Sequence, residues 1–522
     1  MQSFIQRHAG KIIGVLSGFD RVRLRGTLRW LANTRGMLSY LYAAKVLLKR
    51  FKEYAVDVTD QIRGASQEVA AAAGRPVQYL PSTAINKEET ARKIAQRDGI
   101  RQGLICVLTC TEPCFSYRVG RNREKRELEL RGERLKCLHH YFYFLDAELG
   151  FMHFRLQTWF PFTIHICLNG REWLARQMDA AGLAYVQRDN CFVQLANVAQ
   201  AQALLDQQLR RNWNSFLNRL VAQVHPTHRQ LFRDLPTSYY WSIEESEWAT
   251  DVMFRSPQDL ALLYPPLIRH GMATLGSADV MRFLGRKLPK HGGVNGHFSG
   301  EVVSDLKTRP EGMRLKHRLN FNSIKMYDKQ GSVLRVETTL NQARDLKVYR
   351  RKEGDPHGPK AWLRLRKGVA DVRRRAEVSQ AANQRYLKAL AAVEPGQPLG
   401  KLTSDLCQPV LWQGRRVRAL NPFSADDARL LAAVTRGEFT LNGFRNRDLR
   451  ALLYPTGAAT KEEVRRQSAA ISRRLRLLRA HGLIAKVTKT HRYTLTDKGR
   501  TAITALVAAQ HADAAKLTQL AA

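Results

Sequence analysis

The chain has 522 residues, and at roughly 150 residues per domain this length suggests about three domains. Hydrophobic residues make up 44% of it and charged residues 25%, which excludes global disorder, and the absence of any run of about 18 apolar residues argues against a membrane span. There are 85 Lys and Arg against 46 Asp and Glu, a formal net charge of +39. This excess is spread along the whole length, which favours nucleic acid over a membrane surface as the partner.

The first predicted domain, residues 1–130, alternates strands and helices and is typical of an α/β region. Residues 11–28 are predicted to form a pair of strands. In them Arg21, Arg23 and Arg25 alternate with apolar residues, which puts the three arginines on one face, where we expect nucleic acid to bind. Further along we predict a helix over 37–73 broken near 56–59, a helix over 87–97 and a buried strand over 104–109.

The second predicted domain, residues 131–393, is an α+β region with two strand clusters. The first cluster has strands at 139–144, 151–157, 163–168 and 185–194, and the second runs from 301 to 340 with a hairpin turning at Gln330-Gly331. Helices are predicted over 170–181, 196–224 and 256–275, and a long basic helix over 362–393 closes the region.

A linker rich in Pro and Gly is predicted over 394–422, followed by a third domain over 423–522. Its pattern is helix from Ser424, helix over 446–453, basic helix over 461–480, hairpin over 483–495 and a last helix from Asp497. The fold class expected for the whole chain is therefore multidomain α+β.

The runs LLRAHGLI at 477–484 and YTLTDKGR at 493–500 resemble the MarR-type winged-helix regulators. The resemblance implies that the basic helix enters the DNA major groove and that the hairpin, the wing, contacts backbone or minor groove. The residues it assigns to nucleic-acid binding are Arg465, Arg466, Arg473, Arg474, Arg476 and Arg479 on the helix, and Lys486, Lys489 and Arg492 on the hairpin.

The segments NSIKMYDK at 322–329 and LRVE at 334–337 resemble the replication initiators of filamentous phages and rolling-circle plasmids. The resemblance implies a tyrosine that attacks a DNA phosphate, and it makes Tyr327, Asp328 and Glu337 the candidate catalytic residues. The paired histidines expected upstream are missing. Their nearest analogue is His165 and Cys167 on one strand with His153 on its neighbour.

Two other metal sites are open alternatives. Acidic residues beside predicted strands could hold Mg²⁺ in a nuclease; these are Asp20, Asp146, Glu148, Asp328 and Glu337. Zinc could be held by Cys110, Cys114, Cys137 and His139, although buried free cysteine is the simpler interpretation. The total of seven cysteines favours a reducing, cytoplasmic location.

Aromatic residues cluster over 141–162, and most of them are expected in the core. Residues 159–162, in a predicted turn, are the best candidate for an exposed platform that stacks bases. Together these features predict a DNA-binding protein of mobile-element or replication type. A winged-helix regulator without enzymatic activity and an RNA-binding component of a ribonucleoprotein are the alternatives. Whether the protein cleaves DNA stays open at this point.

Overall fold

The structure is a computed structural model, and it describes residues 1–512 apart from 234, 287–300, 310–311, 356, 392–398, 441–442 and 489. It is a mixed α and β protein with a large mixed sheet, as the predicted α+β class requires. Within the described residues, no helix is both long and apolar enough to cross a membrane.

Residues 1–254 begin with a short helix and a long strand. The helices here are α1 (Gln2–Arg7), α2 (Thr34–Ala43), α3 (Phe51–Ala72), α4 (Lys87–Arg97), α5 (Gly170–Ala180), α6 (Val198–Leu205), α7 (Trp213–Ala222) and α8 (His228–Leu231). The strands are β1 (Ile12–Thr27), β2 (Val77–Tyr79), β3 (Gly103–Asn122), β4 (Glu127–Asp146), β5 (Gly150–Gln157), β6 (Ile164–Asn169), β7 (Tyr185–Arg188), β8 (Cys191–Leu195) and β9 (Tyr240–Phe254).

Residues from 255 onward contain shorter strands and the basic helices. The strands are β10 (Val302–Arg309), β11 (Gly312–Leu319), β12 (Asn322–Lys329), β13 (Val333–Leu340), β14 (Lys347–Arg350), β15 (Ala361–Arg364), β16 (Val410–Trp412), β17 (Arg415–Val417), β18 (Ile484–Lys486) and β19 (Tyr493–Leu495). The helices are α9 (Pro257–Ala273), α10 (Ser277–Phe283), α11 (Val372–Leu390), α12 (Leu399–Ser404), α13 (Ala425–Val434), α14 (Gly437–Thr440), α15 (Asn446–Leu453), α16 (Lys461–Ala480) and α17 (Asp497–Gln510).

The chain divides into two compact units, and neither is a continuous stretch of sequence. The terminal unit consists of Met1–Gly14, Asp251–Thr338 and Ala381–Ala522, and the insert unit of Val15–Thr250 and Thr339–Gln380. The predicted boundary at 130/131 lies inside β4, because that strand pairs with β3 along its whole length.

The insert unit is built on strands in the order β9-β1-β6-β5-β4-β3-β2. From β1 to β3 in this order each strand runs antiparallel to its neighbour, whereas β2 is parallel to β3. The core of the unit includes Phe19, Leu24, Phe142, Phe160 and Trp241, all essentially inaccessible to solvent.

The terminal unit contains strands in the order β10-β11-β12-β13 and a second hydrophobic cluster around the C-terminal helices. This cluster joins Leu430, Ile471, Leu478 and Ile503 with Leu406 and Leu420. The last two residues belong to the predicted linker over 394–422, so the part of it that the structure describes contributes to a core. Residues 394–398 of that region lie outside the described residues.

Several element predictions are wrong in detail. Residues 12–27 form the single strand β1 and not a strand pair. Gly18, inside this strand, packs closely on its neighbour: a Cβ there would overlap the side chain of Leu205. The break in the first long helix comes at residues 44–50, where Lys45 has a φ of 56°, and not at 56–59. Residues 185–194 form the hairpin β7–β8, which turns at Asp189 with a φ of 54°.

The predicted long helix over 362–393 is also wrong at its start. Its first residues form β15, which pairs with β14, and α11 begins only at Val372, after Gly368. The strand β9 was missed entirely. Glutamate is depleted in strands by intrinsic preference, and β9 carries three of them, Glu244, Glu245 and Glu247. The arginines of the neighbouring strand β1 compensate for the negative charge of these glutamates.

The C-terminal helices and hairpin agree closely with those predicted from the sequence. Helices α15 and α16 have the predicted bounds, and the last helix begins at Asp497. Ser424 accepts a hydrogen bond from the Asp427 backbone N–H and so caps α13. Gly482 follows α16 with a φ of 71°, as a glycine at a helix C-terminus does.

Candidate nucleic-acid interface

Helix α16 is fixed at both ends by local signals. The Thr460 hydroxyl accepts a hydrogen bond from the Glu463 backbone N–H at 3.2 Å, and Glu462 and Glu463 lie in the first turn, where acids interact favourably with the helix dipole. Ile471, Leu475 and Leu478 are buried in the C-terminal cluster. The opposite face of the helix is therefore left to solvent.

Helix α15 is held against α16 by a small polar network. The Asn446 side-chain amide donates to the Ser468 carbonyl at 2.8 Å and to the Ser472 hydroxyl at 2.9 Å, and the Ser468 hydroxyl donates to Asn446 Oδ1 at 3.0 Å. Because these bonds join the first turn of α15 to the middle of α16, they define how the two helices cross.

The β18–β19 hairpin is attached to the same module through Phe444. The backbone N–H and carbonyl of Phe444 exchange hydrogen bonds of 2.8 Å with those of Tyr493 on β19, and the Phe444 side chain is fully buried. This bridge precedes α15, so the order is helix, bridge, helix, helix, hairpin and helix.

The solvent face of α16 carries arginines that lack acidic partners. Arg465, Arg466, Arg473 and Arg476 are exposed, and among the described residues none of them forms an ion pair. Arg474 lies 3.5 Å from Asp426, and the Arg479 guanidinium lies over the Trp412 ring, 5.1 Å from its centroid.

The hairpin residues assigned to binding are less uniform. Lys486 is exposed at the end of β18, whereas Arg492 is half-buried and donates to the Gly443 carbonyl. Lys489 lies outside the described residues.

The arginines of β1 lie in a different charge environment. Arg21 lies 3.3 Å from both Glu245 and Glu247, and Arg23 lies 3.2 Å from Glu244. Arg25, on the same face, is half-buried. The positive charges of Arg21 and Arg23 are therefore balanced by glutamates on β9, which lowers the attraction of this face for phosphate.

The candidate catalytic residues Tyr327 and Glu337 are close to each other and buried. The Tyr327 hydroxyl donates to Glu337 Oε2 at 2.6 Å, and Lys325 Nζ lies 2.7 Å from Oε1. Burial by itself raises the pKa of Glu337, but the positive charge and hydrogen bond of Lys325 and the bond from Tyr327 outweigh it, so the pKa is lowered. Tyr327 is 7% exposed, which leaves its hydroxyl little access to a DNA phosphate.

Asp328 lies on the opposite face of β12 from Tyr327, since side chains alternate along a strand. It accepts a hydrogen bond from the Gly331 backbone N–H, and burial raises the pKa of its carboxyl group. The structure thus brings together two of the three candidate catalytic residues.

The other candidate magnesium ligands have partners within the insert unit. Asp146 Oδ1 accepts the backbone N–H groups of Glu148 and Leu149, and Glu148 pairs with Arg211. Asp20 accepts a hydrogen bond from the Asn190 side chain at 3.0 Å. The magnesium site stays a prediction.

The candidate zinc ligands lie on the paired strands β3 and β4, where Cys110 is directly opposite His139. Within the described parts of the chain, no three of Cys110, Cys114, Cys137 and His139 bring ligand atoms within 4.8 Å of one another. His139 Nδ1 instead lies 3.0 Å from the Cys137 carbonyl oxygen. Cys110 and Cys137 are buried and Cys114 is partly accessible, and the zinc site stays a prediction.

The structure brings together only part of the set that takes the place of the paired histidines of the initiator motif, His153, His165 and Cys167. His153 lies directly opposite Cys167 in the β5–β6 register, and burial followed by the nearby His165 lowers the pKa of His153 to about 4. His165 Nε2 lies 3.5 Å from Glu244, and its Nδ1 lies 3.5 Å from Arg155. Both nitrogens of His165 are thus engaged by protein groups.

The predicted aromatic platform over 159–162 is wrong. Phe160 and Phe162 are fully buried in the core of the insert unit, and only Trp159 is partly accessible. Phe160 packs beneath α2 and α3, where it contacts Tyr40, Phe51 and Tyr54.

One basic element was missed by sequence reasoning, the β16–β17 hairpin, which carries Arg415 and Arg416 and packs near α16. Its turn, Gln413-Gly414, has φ values of 50° and 71°, close to the 56° and 75° of Gln330-Gly331. The same dipeptide that predicted the earlier hairpin could have found this one.

We compared the chain with protein-family models, with curated proteins and with solved structures, and none of them matches it.

Proposed function

We propose that the chain binds duplex DNA through a winged-helix module made of α13, α15, α16, β18, β19 and α17, with α16 as the helix that enters the major groove. The observation that carries the proposal is the outer face of α16, where Arg465, Arg466, Arg473 and Arg476 are exposed without acidic partners among the described residues. Guanidinium groups in this state are suited to bind phosphate oxygens and the acceptor edge of guanine.

DNA is favoured over RNA by the dimensions of the helix. The 20-residue helix α16 is about 10–12 Å across with its side chains, which matches the roughly 12 Å width of the major groove of B-form DNA. The major groove of A-form RNA is too narrow and deep for side chains to read. In helix-turn-helix proteins the N-terminal part of the recognition helix reaches the base edges, which here assigns base contacts to Arg465 and Arg466.

The test compares R465A/R466A with R123A/K125A, a matched removal of two exposed positive charges in the turn between β3 and β4. We expect R465A/R466A to weaken binding to duplex DNA, by about 1–3 kcal/mol for each arginine that reads a base. R123A/K125A should bind as the unchanged protein does. Affinities would be measured by fluorescence anisotropy on DNA and RNA duplexes of one sequence. Equal affinity for both duplexes, or equal binding by the two variants, would contradict the proposal.

A further inference from the structure

The β16–β17 hairpin and the C-terminal half of α16 enclose an open groove of about 650 Å³, which we call the arginine groove. Six arginines line it, and among the described residues no acidic side chain does. They are Arg415, Arg416 and Arg418 after the hairpin turn and Arg473, Arg474 and Arg476 on the helix.

The groove is held in shape by contacts at its base. Arg418 makes two hydrogen bonds of 2.8 and 2.6 Å to the Asp427 carboxylate, and the His481 ring lies 2.9 Å from the Arg418 carbonyl oxygen. The backbone N–H of Leu420 donates to the Leu406 carbonyl at 2.9 Å, and both leucine side chains are buried. These contacts join the end of the hairpin to α13 and to the residue after α16, so they hold the two sides of the groove together.

Four of the six positive charges have no acidic counterpart in the described part of the protein. Arg418 is balanced by Asp427 and Arg474 lies near Asp426, but Arg415, Arg416, Arg473 and Arg476 form no ion pair there. Like charges placed together repel each other, and a bound anion would remove that repulsion. Several unpaired cations in one groove match a polyanion better than a single small anion.

The aromatic ring at the groove shows which part of a nucleic acid would enter. Base stacking requires a free aromatic face, but Arg479 lies over the ring of Trp412 at 5.1 Å. The arginines next to it offer planar, bidentate donors that match phosphate oxygens. These donors favour the sugar-phosphate backbone as the part of the nucleic acid that the groove binds.

We propose that the arginine groove binds the phosphodiester backbone of duplex DNA beside the segment that α16 reads, and so lengthens the contact independently of base sequence. This inference rests on the DNA binding proposed above. Arg473 lies eight residues after Arg465, about 12 Å along the helix axis. Residues of the groove and those assigned to base contacts can therefore meet different parts of the same duplex.

The experiment measures the salt dependence of duplex binding for the full-length chain and for R415A/R416A, with R123A/K125A as the control. Each phosphate contact contributes about 0.9 to the slope of log affinity against log salt concentration, so we expect R415A/R416A to lower the slope by up to about 2. The reduction should be equal on duplexes of unrelated sequence. R415K/R416K, which keeps the charges, should keep most of the slope.

A shortened duplex makes the test sharper. If the groove holds flanking backbone, trimming the flanking base pairs should lower the affinity of the unchanged protein and abolish its advantage over R415A/R416A. An unchanged slope for R415A/R416A, alongside weakened binding by R465A/R466A, would overturn the groove as a backbone site and leave the proposed function in place. Failure of the unchanged protein to bind any duplex would overturn both. Both arginines are exposed on a hairpin, and the melting temperature of the variant checks that the fold is kept.

Discussion

Glu337 shows how a buried charge is tolerated in the terminal unit. Its side chain is 2% exposed, and it is compensated by the ammonium group of Lys325 and the hydroxyl of Tyr327. Taking a carboxylate out of water is costly unless it is paired and hydrogen-bonded. Tyr327 and Glu337, which resemble part of a catalytic motif, thus have a structural role: the tyrosine hydroxyl stabilises the buried carboxylate.

The lowered pKa of Glu337 makes stability depend on pH. The folded state binds the proton more weakly than the unfolded chain, whose glutamates titrate near about 4.3. The stabilisation is therefore complete above that pH and is lost as the pH falls below it. We expect the free energy of unfolding to fall more steeply below about pH 4.3 for the unchanged protein than for E337Q. Denaturant unfolding across pH would measure this, with E124Q at an exposed position as control; parallel curves for E337Q would contradict it.

Replacing Tyr327 separates a structural role from a catalytic one. Y327F removes a hydrogen bond to a buried charge, and we expect it to lower the free energy of unfolding by about 1.5–3 kcal/mol while DNA affinity is kept. The same variant would be incubated with end-labelled single strands and duplexes, with and without Mg²⁺. A protein–DNA adduct that the unchanged protein forms and Y327F does not would instead establish Tyr327 as the nucleophile.

At the scale of elements, α16 is determined by its ends and by its inner face. Thr460 caps its first turn, Gly482 follows its last, and Ile471, Leu475 and Leu478 secure it to the C-terminal cluster. Arg465 and Arg466 lie within two turns of the cap. Fraying at this end would therefore reach the residues to which we assign base contacts.

This coupling predicts the effect of removing the cap. T460A should lower stability by about 1 kcal/mol, because one backbone N–H of the first turn is left without its acceptor. It should also weaken duplex binding, since Arg465 and Arg466 become less ordered. T460S retains the hydroxyl and should behave as the unchanged chain in both thermal unfolding and anisotropy titrations. Equal effects of T460A and T460S would point away from the cap.

At the scale of the whole molecule, the positive charges that make up the net charge of +39 differ in how far nearby acidic residues balance them. On β1, Arg21 and Arg23 face glutamates of β9, whereas four arginines of α16 have no acidic partner among the described residues. The four arginines of α16 therefore contribute more to the attraction of a polyanion than their small number suggests.

The contrast can be measured directly. We expect R21A/R23A to leave the salt dependence of duplex binding unchanged, because these charges are already balanced within the insert unit. R473A/R476A, which removes two of the unpaired charges of α16 that line the arginine groove, should reduce the slope by up to about 2. A reduced slope for R21A/R23A would show instead that the β1 arginines bind DNA, as their alternation on one face predicts.

The sequence alone determined the features that depend on residues close together in the chain. Caps, glycines and the spacing of apolar residues act within a few residues of one another. They predict the bounds of α4, α15 and α16, the capping by Ser424 and the turn at Gln330-Gly331. Only the tertiary structure decided which charges are balanced and which aromatic residues are buried. Arg21 meets Glu245, 224 positions away, and Phe160 lies beneath α3, because strand pairing and core packing bring together residues whose separation no local pattern records.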